Sequence, residues 1–476
     1  MIVMKFGGTS VESAEAIRRV AGIVRDRLDR HPVVVVSAMG KTTNKLLAMA
    51  AKAASGDLEA ALVHLENLRA SHLLESAGLA ACSRSRFGTE PSEPRASASG
   101  GAGPSEPRAS ASGGGVAEQV NAHFNQLADL VKGLAIVGEL TPRAVDAVSA
   151  FGERLSSLIV AAFFNSAGIS AAHVDARSVI VTDRRHGQAA PLFAETNAKL
   201  MAVIPQLAQT HVLVMGGFIA STEDGVTTTL GRGGSDYTAS IVGAGIGAEE
   251  IQIWTDVDGM LTADPTIFPG ACRVETCSFA EAAELAYFGA KVLHPATVLP
   301  AIEKNIPVRI LNSRRPEVEG TLIVSNPPPS SKPIRSIACK RNITLVNIVS
   351  SRMLMAHGFL RRIFEIFDRH ETPVDMLATS EISVSLTVDT TRALDTIRAE
   401  IGEFAEITTE DNQAIVCLVG ENIRNCPTVA ARTFAALSTI KTRMVSQGAS
   451  QLNISLVVAA ADLVPAVESL HREFFS

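Results

Sequence analysis

The chain lacks the sequence marks of several large protein classes. Its six cysteines show no CxxC spacing and no neighbouring His cluster, so we expect neither a zinc site nor a disulfide framework. No apolar run approaches the ~18–20 residues of a membrane span, and no charged segment leading into an apolar one opens the chain. Because the net charge is −6, nucleic acid is not expected as a partner either. We therefore expect a cytoplasmic protein, with small acidic or neutral metabolites as candidate ligands.

What the chain does contain is a repeated β-α-β order. Its 476 residues, 46% hydrophobic and 19% charged, have the composition of a globular protein with roughly two to four domains. The opening "MIVM" is followed by an amphipathic helical pattern and the β-branched run "PVVVVSA", and similar units recur to about residue 320. Consecutive β-α-β units predict an α/β domain over residues 1–324, with a mainly parallel sheet sandwiched by helices.

Two low-complexity stretches interrupt the chain. The eleven residues "PSEPRASASGG" occur at 91–101 and again at 104–114, and this composition predicts a disordered surface insertion over 82–115. A second stretch, "SNPPPSSKPIRS" at 325–336, is typical of a linker. Beyond it, residues 337–411 and 412–476 share a β-α-β-β-α-β rhythm, which predicts two ferredoxin-like α+β modules. Together they could form a regulatory lobe.

The stretch "KFGGTS" near the start combines a cation with bare backbone. Gly7 and Gly8 would let backbone N–H groups approach phosphate oxygens, while Lys5 supplies a charge from the end of a strand. An ordinary turn, with Thr9 or Ser10 capping a helix, explains the same residues equally well.

Two further glycine-containing stretches imitate nucleotide motifs. "GKTT" at 40–43 would need a glycine where Val35 stands to form a P-loop. "GAGIG" at 243–247 follows a helical segment instead of a strand, so we interpret it as a helix end and turn.

The most informative stretch is "TTTLGRGGSDYTAS" at 227–240, which lies at a predicted loop-to-helix junction. Arg232 can bind a carboxylate through two hydrogen bonds, and Asp236 can bind the ammonium group of the same molecule. Helix-start N–H groups also favour an anion. The stretch therefore predicts a site for a zwitterionic amino acid, although a glycine-rich turn capped by Ser235 is the alternative. Taken alone, "WTDVDGMLTADP" and "FGAKVLHPAT" are compatible with a surface turn and a solvated lysine.

The order of these motifs closely resembles that of the aspartate kinases, members of the amino acid kinase family that carry C-terminal tandem ACT domains. "KFGGTS", "SAMGKTTN", "FGERLSS", "GGFIA", "TTTLGRGGSDYTA", "WTDVDGMLTADP", "FGAKVLHPAT", "GFLRRIFEIFDRH" and "VDMLATSEISVSLTVD" carry the resemblance, which covers nearly everything outside 82–115. It implies transfer of the ATP γ-phosphoryl group to the β-carboxylate of L-aspartate, with Mg²⁺. It also implies a homodimer formed through the ACT domains, which could pair further into a tetramer.

The resemblance assigns roles to individual residues. The catalytic positions that it implies are Lys5, Asp236 and Lys291. For aspartate it implies Thr43, Glu153, Phe218, Arg232, Ser235 and Asp236, and for ATP it implies Lys5, Gly7, Gly8, Ser37, Thr255, Asp256 and Lys291. The chain departs from some relatives at Leu261, where they have tyrosine, and at Thr266, where they have arginine.

The first ACT module resembles that of lysine-sensitive relatives. The matching positions are Met353, Phe359, Leu360, Asp375, Thr379, Ser380, Glu381 and Ser383. Asp375 and Glu381 could each bind an ammonium group, which suits lysine as an inhibitor, with threonine as the second candidate. The alternative is that these residues only build an interface between ACT modules.

The sequence also bears on two functions other than the kinase. An amino-acid sensor that has lost turnover would explain the departures at Leu261 and Thr266. A fusion to homoserine dehydrogenase is not expected, since the second ACT module ends near Ser476.

Overall fold

The structure is a computed structural model, and it divides into two compact units. It describes residues 1–86, 113–288, 295–329, 332–350 and 357–476. The first unit comprises Met1–Asp258 and Ala296–Leu322, and the second comprises Gly259–Pro295 and Ile323–Ser476. Each unit is thus built from two separate segments of the chain. The domain bounds 1–324, 325–336, 337–411 and 412–476 stay a prediction.

The first 324 residues contain both helices and strands, and five consecutive helices separate the second strand from the third. In chain order they are β1 (Ile2–Phe6), α1 (Ala14–Arg25), β2 (Pro32–Val36), α2 (Thr42–Ala54), α3 (Leu58–Arg86), α4 (Gly113–Val137), α5 (Pro142–Ser149), α6 (Phe151–Ser166), β3 (Ala171–Val174), α7 (Ala176–Val179), α8 (Phe193–Leu207), β4 (Val212–Gly216), β5 (Ile219–Ser221), β6 (Thr227–Thr229), α9 (Gly234–Ile246), β7 (Glu250–Thr255), β8 (Thr276–Ser278), α10 (Phe279–Tyr287), α11 (Leu299–Glu303), β9 (Val308–Asn312) and β10 (Thr321–Val324).

A parallel sheet forms the centre of the first unit. Six of its strands lie in the order β3-β4-β2-β1-β7-β9, and every neighbouring pair among them is parallel. β2 has the sequence "PVVVV" and is buried along its whole length, as expected for a strand covered on both faces. α6 packs on β3 and β4, and α9 packs on β1 and β7. The predicted α/β class with a mainly parallel sheet is confirmed.

Helices reach into both ends of the predicted insertion. α3 runs to Arg86 and α4 begins at Gly113, so both helices extend into the stretch 82–115, whose disorder stays a prediction. The two helices pack on each other. Residues 87–112, with most of the repeats, lie outside the described residues.

One helical stretch of the first unit is long and apolar enough to cross a membrane by composition. It is Pro142–Ser166, and 83% of its most apolar window is buried inside the protein. The core helix of a soluble domain has the same properties, and α6 occupies such a position.

The second unit contains a six-stranded antiparallel sheet with helices. Its remaining elements are β11 (Ser336–Val349), α12 (Phe359–Arg369), β12 (Leu377–Thr379), β13 (Ser383–Val388), α13 (Leu394–Gly402), β14 (Glu406–Val419), α14 (Pro427–Ala436), β15 (Met444–Gln447), β16 (Asn453–Ala459) and α15 (Leu463–Phe475). The strand order is β12-β13-β11-β14-β16-β15. Antiparallel strands with helices agree with the predicted α+β modules.

The two α+β modules share their central strands, which the sequence rhythm did not show. β11 and β14 each have 14 residues and pair from Ser336–Val419 to Val349–Glu406, with irregular register between Lys340 and Leu345. The first half of β11 therefore lies beside the second module's strands, and its second half lies beside β13. Two apolar cores flank this shared pair, one for each module.

Gly217, directly after β4, lets the chain pass unusually close to the start of α9. A Cβ on Gly217 would lie 2.7 Å from both Cα and Cβ of Ser235. Such contacts require the helix start to move, because the interior is close-packed. Gly217 thus sets where α9 begins relative to the sheet.

We expect Gly217→Ala to lower the free energy of unfolding by about 1–3 kcal/mol, the usual cost of overpacking. Gly22→Ala is the matched control, since a Cβ within α1 at Gly22 meets no atom within 4 Å. That control should stabilise the protein by about 0.5–1 kcal/mol, the helix preference of alanine over glycine. Urea denaturation of the three proteins measures both effects; equal stability of the two variants would contradict this account of Gly217.

Candidate active site

A polar cavity lies at the carboxyl ends of β1 and β2, where parallel sheets commonly bind ligands. Its volume is about 350 Å³. The residues that line it are Lys5, Gly8, Ser37, Ala38, Gly40, Thr43, Glu153, Phe218, Gly231, Arg232, Gly233, Gly234, Ser235 and Asp236. Every residue predicted to bind aspartate is among them.

An ion pair joins the end of β1 to the first turn of α9. Lys5 Nζ lies 2.6 Å from Asp236 Oδ1, and the two side chains are only 11% and 15% exposed. α9 starts at Gly234, so Asp236 stands in its first turn, where a carboxylate is stabilised by the helix dipole. The pair is thus fixed at both ends and faces the cavity.

Backbone groups form one wall of the cavity. The N–H of Gly40 donates to Gly8 O at 3.0 Å, and the N–H of Ser37 donates to Phe6 O at 3.1 Å. A Cβ on Gly8 would lie 2.9 Å from Ala38 O, so only glycine fits where these two loops cross. The wall therefore presents bare backbone beside Lys5, and phosphate binding by the "KFGGTS" stretch stays a prediction.

Glu153 is a buried carboxyl group that opens onto the same cavity. It lies in the first turn of α6 and is 4% exposed. Ala38 N–H donates to its Oε1 at 3.1 Å, whereas its Oε2 has no hydrogen-bond partner. Burial raises the pKa of Glu153 to about 8, and the Ala38 hydrogen bond offsets this only in part. The protein thus keeps a neutral acid here at pH 7 that a cationic ligand could ionise.

Arg232, Ser235 and Phe218 complete the opposite side of the cavity. Arg232 is exposed, and no carboxylate of the described residues lies within ion-pair distance of it. Phe218 has φ +66, a strained conformation for a bulky residue, and its N–H donates to Thr238 Oγ1 at 2.9 Å. Such strain is typical of functional sites. Arg232 is available for a carboxylate, while Glu153 and Asp236 are placed to bind a cation.

Some residues predicted for ATP lie apart from this lining. Gly7 donates its N–H to Trp254 O at 3.1 Å and is not part of the lining. Thr255 ends β7, and its hydroxyl donates to Asp256 Oδ1 at 3.2 Å, but neither residue lines the cavity. Lys291 lies outside the described residues. The structure brings the predicted aspartate residues together in one cavity, whereas Gly7, Thr255 and Asp256 do not line it.

The sequence analysis missed the cavity's backbone contributors. Ala38, Gly40, Gly231, Gly233 and Gly234 line it, although no role was given to them. They lie inside the motifs "SAMGKTTN" and "TTTLGRGGSDYTAS". The motifs could therefore indicate their position at the site, whereas their small side chains could not. Gly233 has φ +72, which the turn into α9 requires.

In the second unit, Asp375 already has an ammonium partner. Lys340 Nζ lies 2.6 Å from Asp375 Oδ1 and 2.9 Å from Asp389 Oδ2, and the Asp375 side chain is 6% exposed. Burial raises the pKa of Asp375, and the hydrogen bond and charge of Lys340 oppose that shift. A side-chain hydrogen bond with Tyr287 also opposes the rise in the pKa of Asp375, so this carboxylate already has a second side-chain partner.

The other residues predicted to bind the effector belong to the first module and do not share the contacts of Asp375. The hydroxyls of Ser380 and Ser383 lie 2.6 Å apart at the turn between β12 and β13. Phe359 stacks edge-on against Phe404, with ring centroids 5.6 Å apart. Leu360, Thr379 and Glu381 are exposed, and Met353 lies outside the described residues.

Two known protein families match the chain. The Amino acid kinase family matches residues 1–312, and the ACT domain matches residues 346–402 and 416–474.

Known relatives match over the full chain. Aspartokinase 1, chloroplastic, of Arabidopsis thaliana is 37% identical over 99% of this chain and 80% of its own length. Lysine-sensitive aspartokinase 3 of Escherichia coli is 33% identical over 100% of this chain and 99% of its own.

Two solved structures of E. coli aspartokinase III cover 100% of both chains at 32% identity. The complex with lysine and aspartate, in the T-state, has a TM-score of 0.81, and the complex with aspartate and ADP, in the R-state, has a TM-score of 0.76.

The raised pKa of Glu153 predicts a specific pH dependence of stability. Between pH 4.5, its ordinary pKa, and about 8, the folded protein holds a proton that the unfolded chain has released. The contribution of Glu153 to stability is therefore fully present below pH 4.5 and is lost as pH rises toward 8.

Thermal midpoints of the wild type and Glu153→Gln, measured from pH 4.5 to 8.5 without ligand, test this expectation. The wild type should lose stability relative to the variant over that range, because glutamine does not titrate. Parallel curves for the two proteins would show that Glu153 is ionised when folded.

Proposed function

Because the chain belongs to the aspartokinases of the amino acid kinase family, we propose that it transfers the γ-phosphoryl group of ATP to the β-carboxylate of L-aspartate. The products are 4-phospho-L-aspartate and ADP. The observation that carries the proposal is the cavity's charge pattern. Arg232 lines the cavity and has no ionic partner among the described residues, two acidic groups can meet an ammonium, and Lys5 stands beside bare backbone. An amino acid with a second carboxylate satisfies all of these groups.

We propose that aspartate is bound through both charges of its backbone end. Arg232 would take the α-carboxylate with two hydrogen bonds, and Glu153 would take the α-ammonium. The unpartnered Oε2 of Glu153 supports this role, since a buried oxygen without a donor favours a cationic guest. Phe218, Ser235 and Thr43 would complete the pocket around the chain of the substrate.

The transfer itself needs positioning and charge neutralisation more than proton transfer. The β-carboxylate of aspartate is ionised at neutral pH, so no base is needed to activate it. In phosphoryl transfer the charge spreads over equatorial oxygens, which a lysine and backbone N–H groups stabilise. Lys5 would supply this charge, and its ion pair with Asp236 holds it at the strand end before ligands bind. Lys291 is a further proposed catalytic residue.

The nucleotide would lie along Gly7, Gly8 and Ser37, with Thr255 and Asp256 as further contacts. Mg²⁺ would be held mainly by phosphate oxygens and water, as is usual for this ion, and would neutralise phosphate charge. The described part of the chain has no group of three or more His, Cys, Asp or Glu that could hold a metal ion.

Regulation and assembly are part of the same proposal. The reaction would be the first step toward lysine, threonine and methionine in the cytoplasm, carried out by a homodimer joined through ACT modules. L-Lysine is the proposed inhibitor, with its side-chain ammonium at Asp375. Because Lys340 already holds Asp375, the effector would have to share or replace an internal ammonium.

The central experiment measures acyl phosphate, trapped with hydroxylamine, from L-aspartate, ATP and Mg²⁺, with and without L-lysine. We expect turnover that lysine suppresses. Lys5→Ala should lower turnover by at least 10³-fold, because it removes a charge at the transferring phosphate, while calorimetric lysine binding stays unchanged. Lysine binding without any turnover would favour the amino-acid sensor, to which Leu261 and Thr266 also point. Turnover that lysine does not change would refute lysine as the inhibitor.

Lys340→Met tests the place of the effector. With its internal competitor removed, Asp375 should bind the side-chain ammonium of lysine more tightly, and the lysine concentration for half inhibition should fall several-fold. Threonine, which has no such ammonium, should show no comparable gain.

Lys441→Met, which removes an exposed lysine of the same unit, is the control. It should change neither the inhibition by lysine nor that by threonine. Weaker lysine inhibition in Lys340→Met would mean that Lys340 holds Asp375 in the geometry that binds the effector. That result would refute competition between Lys340 and the effector for Asp375.

A further inference from the structure

Asp146 is a fully buried carboxylate that lies outside the cavity lining. It stands on α5 and has an exposure of 0%. No motif in the sequence pointed to it. Burial of a charged group is costly unless donors surround it, so its surroundings explain why it is retained.

Three donors from two other parts of the chain converge on Asp146. Thr229 donates its hydroxyl to Oδ1 at 2.5 Å, and His186 Nδ1 lies 2.7 Å from Oδ2. The N–H of Gly187 donates to both oxygens at 3.1 Å. The carboxylate therefore fastens α5 to the end of β6 and to the turn at 186–187.

Both of these attached segments lead to Arg232. Thr229 is the last residue of β6, three positions before Arg232. The turn at 186–187 supports the intervening loop, since a Cβ on Gly231 would lie 3.2 Å from Gly187 O. The N–H of Ala189 also donates to Thr229 O at 2.9 Å. Asp146 thus fixes the loop that presents the guanidinium.

The helix that carries Asp146 also carries Glu153. Ala150 joins α5 to α6 in a helical conformation, and the N–H groups of Ala150 and Arg154 donate to Asp146 O and Ala150 O at 3.1 Å. The helical path is therefore continuous, and two residues seven apart lie on the same face. Asp146 links the Glu153 helix directly to the Arg232 loop.

We propose that Asp146 is the positioning residue that sets the separation between Arg232 and Glu153, and with it the fit of an amino acid's α-carboxylate and α-ammonium. This inference rests on the proposed function of the cavity. It predicts that loosening Asp146 weakens aspartate binding selectively, because Lys5 and the Gly8 wall are held by other contacts.

The test is the steady-state kinetics of Asp146→Asn in the full-length protein. Asparagine keeps the shape of the side chain but replaces one acceptor oxygen with an NH₂ donor. That donor would face Thr229, Gly187 and His186, which themselves donate to Asp146, so at least one hydrogen bond is lost. We expect the KM for aspartate to rise at least tenfold, while the KM for ATP and kcat stay within twofold. Thr229→Val, which removes one donor and keeps the shape, should raise the same KM by a smaller factor.

Asn165→Ala is the matched control. Asn165 ties the far end of α6 to Ala171 through hydrogen bonds of 2.9 Å, so its loss should lower the thermal midpoint without changing either KM. If Asp146→Asn does not fold, Thr229→Val alone decides the question by its KM for aspartate.

The inference and the proposed function fail in different ways. Absence of aspartate turnover in the wild type would refute the function. The role of Asp146 would be refuted, and the function kept, if the wild type turns over aspartate but the variants show an equal rise in KM for both substrates. The same conclusion would follow if the variants lose only thermal stability.

Discussion

The ion pair between Lys5 and Asp236 is the constraint on which the site depends. It joins the central strand of the parallel sheet to the first turn of α9 across 2.6 Å, with both side chains largely shielded from water. A lysine at this depth would be costly without its carboxylate, and the carboxylate is stabilised by the helix start. The glycine contact between Gly217 and Ser235 then fixes how close that helix comes to the sheet. The charge pair of the cavity and the placement of the helix are thus set by the same few atoms.

The two acidic groups of the cavity do different work because their surroundings differ. Asp236 faces a lysine at ion-pair distance, whereas Glu153 has one backbone donor and is otherwise buried. Burial raises the pKa of Glu153 to about 8, so this site holds a proton until a cation arrives. Asp236 therefore has a charged partner before any ligand binds, whereas Glu153 would lose its proton when a cationic ligand binds.

Much of the fold and of the aspartate cavity could be predicted from the sequence, because both rest on local patterns. β-branched runs and amphipathic helices predicted the parallel sheet, and local motifs pointed to Lys5 and Arg232. Glu153 was expected only from the resemblance to the aspartate kinases. What could not be predicted depends on distant contacts. Asp146 stands in an unremarkable helical segment, and its donors come from residues about 40 and 83 positions away. The pairing of Lys340 with Asp375 likewise needs strands whose register no local pattern gives.

The sharing of β11 and β14 between the two α+β modules also bears on how the chain is made. Ser336 to Lys340 emerge from the ribosome well before their neighbours Ile415 to Val419 exist. During that interval the segment has no partner along β14, and its unpaired backbone is open to wrong neighbours. The pair of α+β modules thus becomes complete only when its last strands have been synthesised, and the two modules reach their final form together.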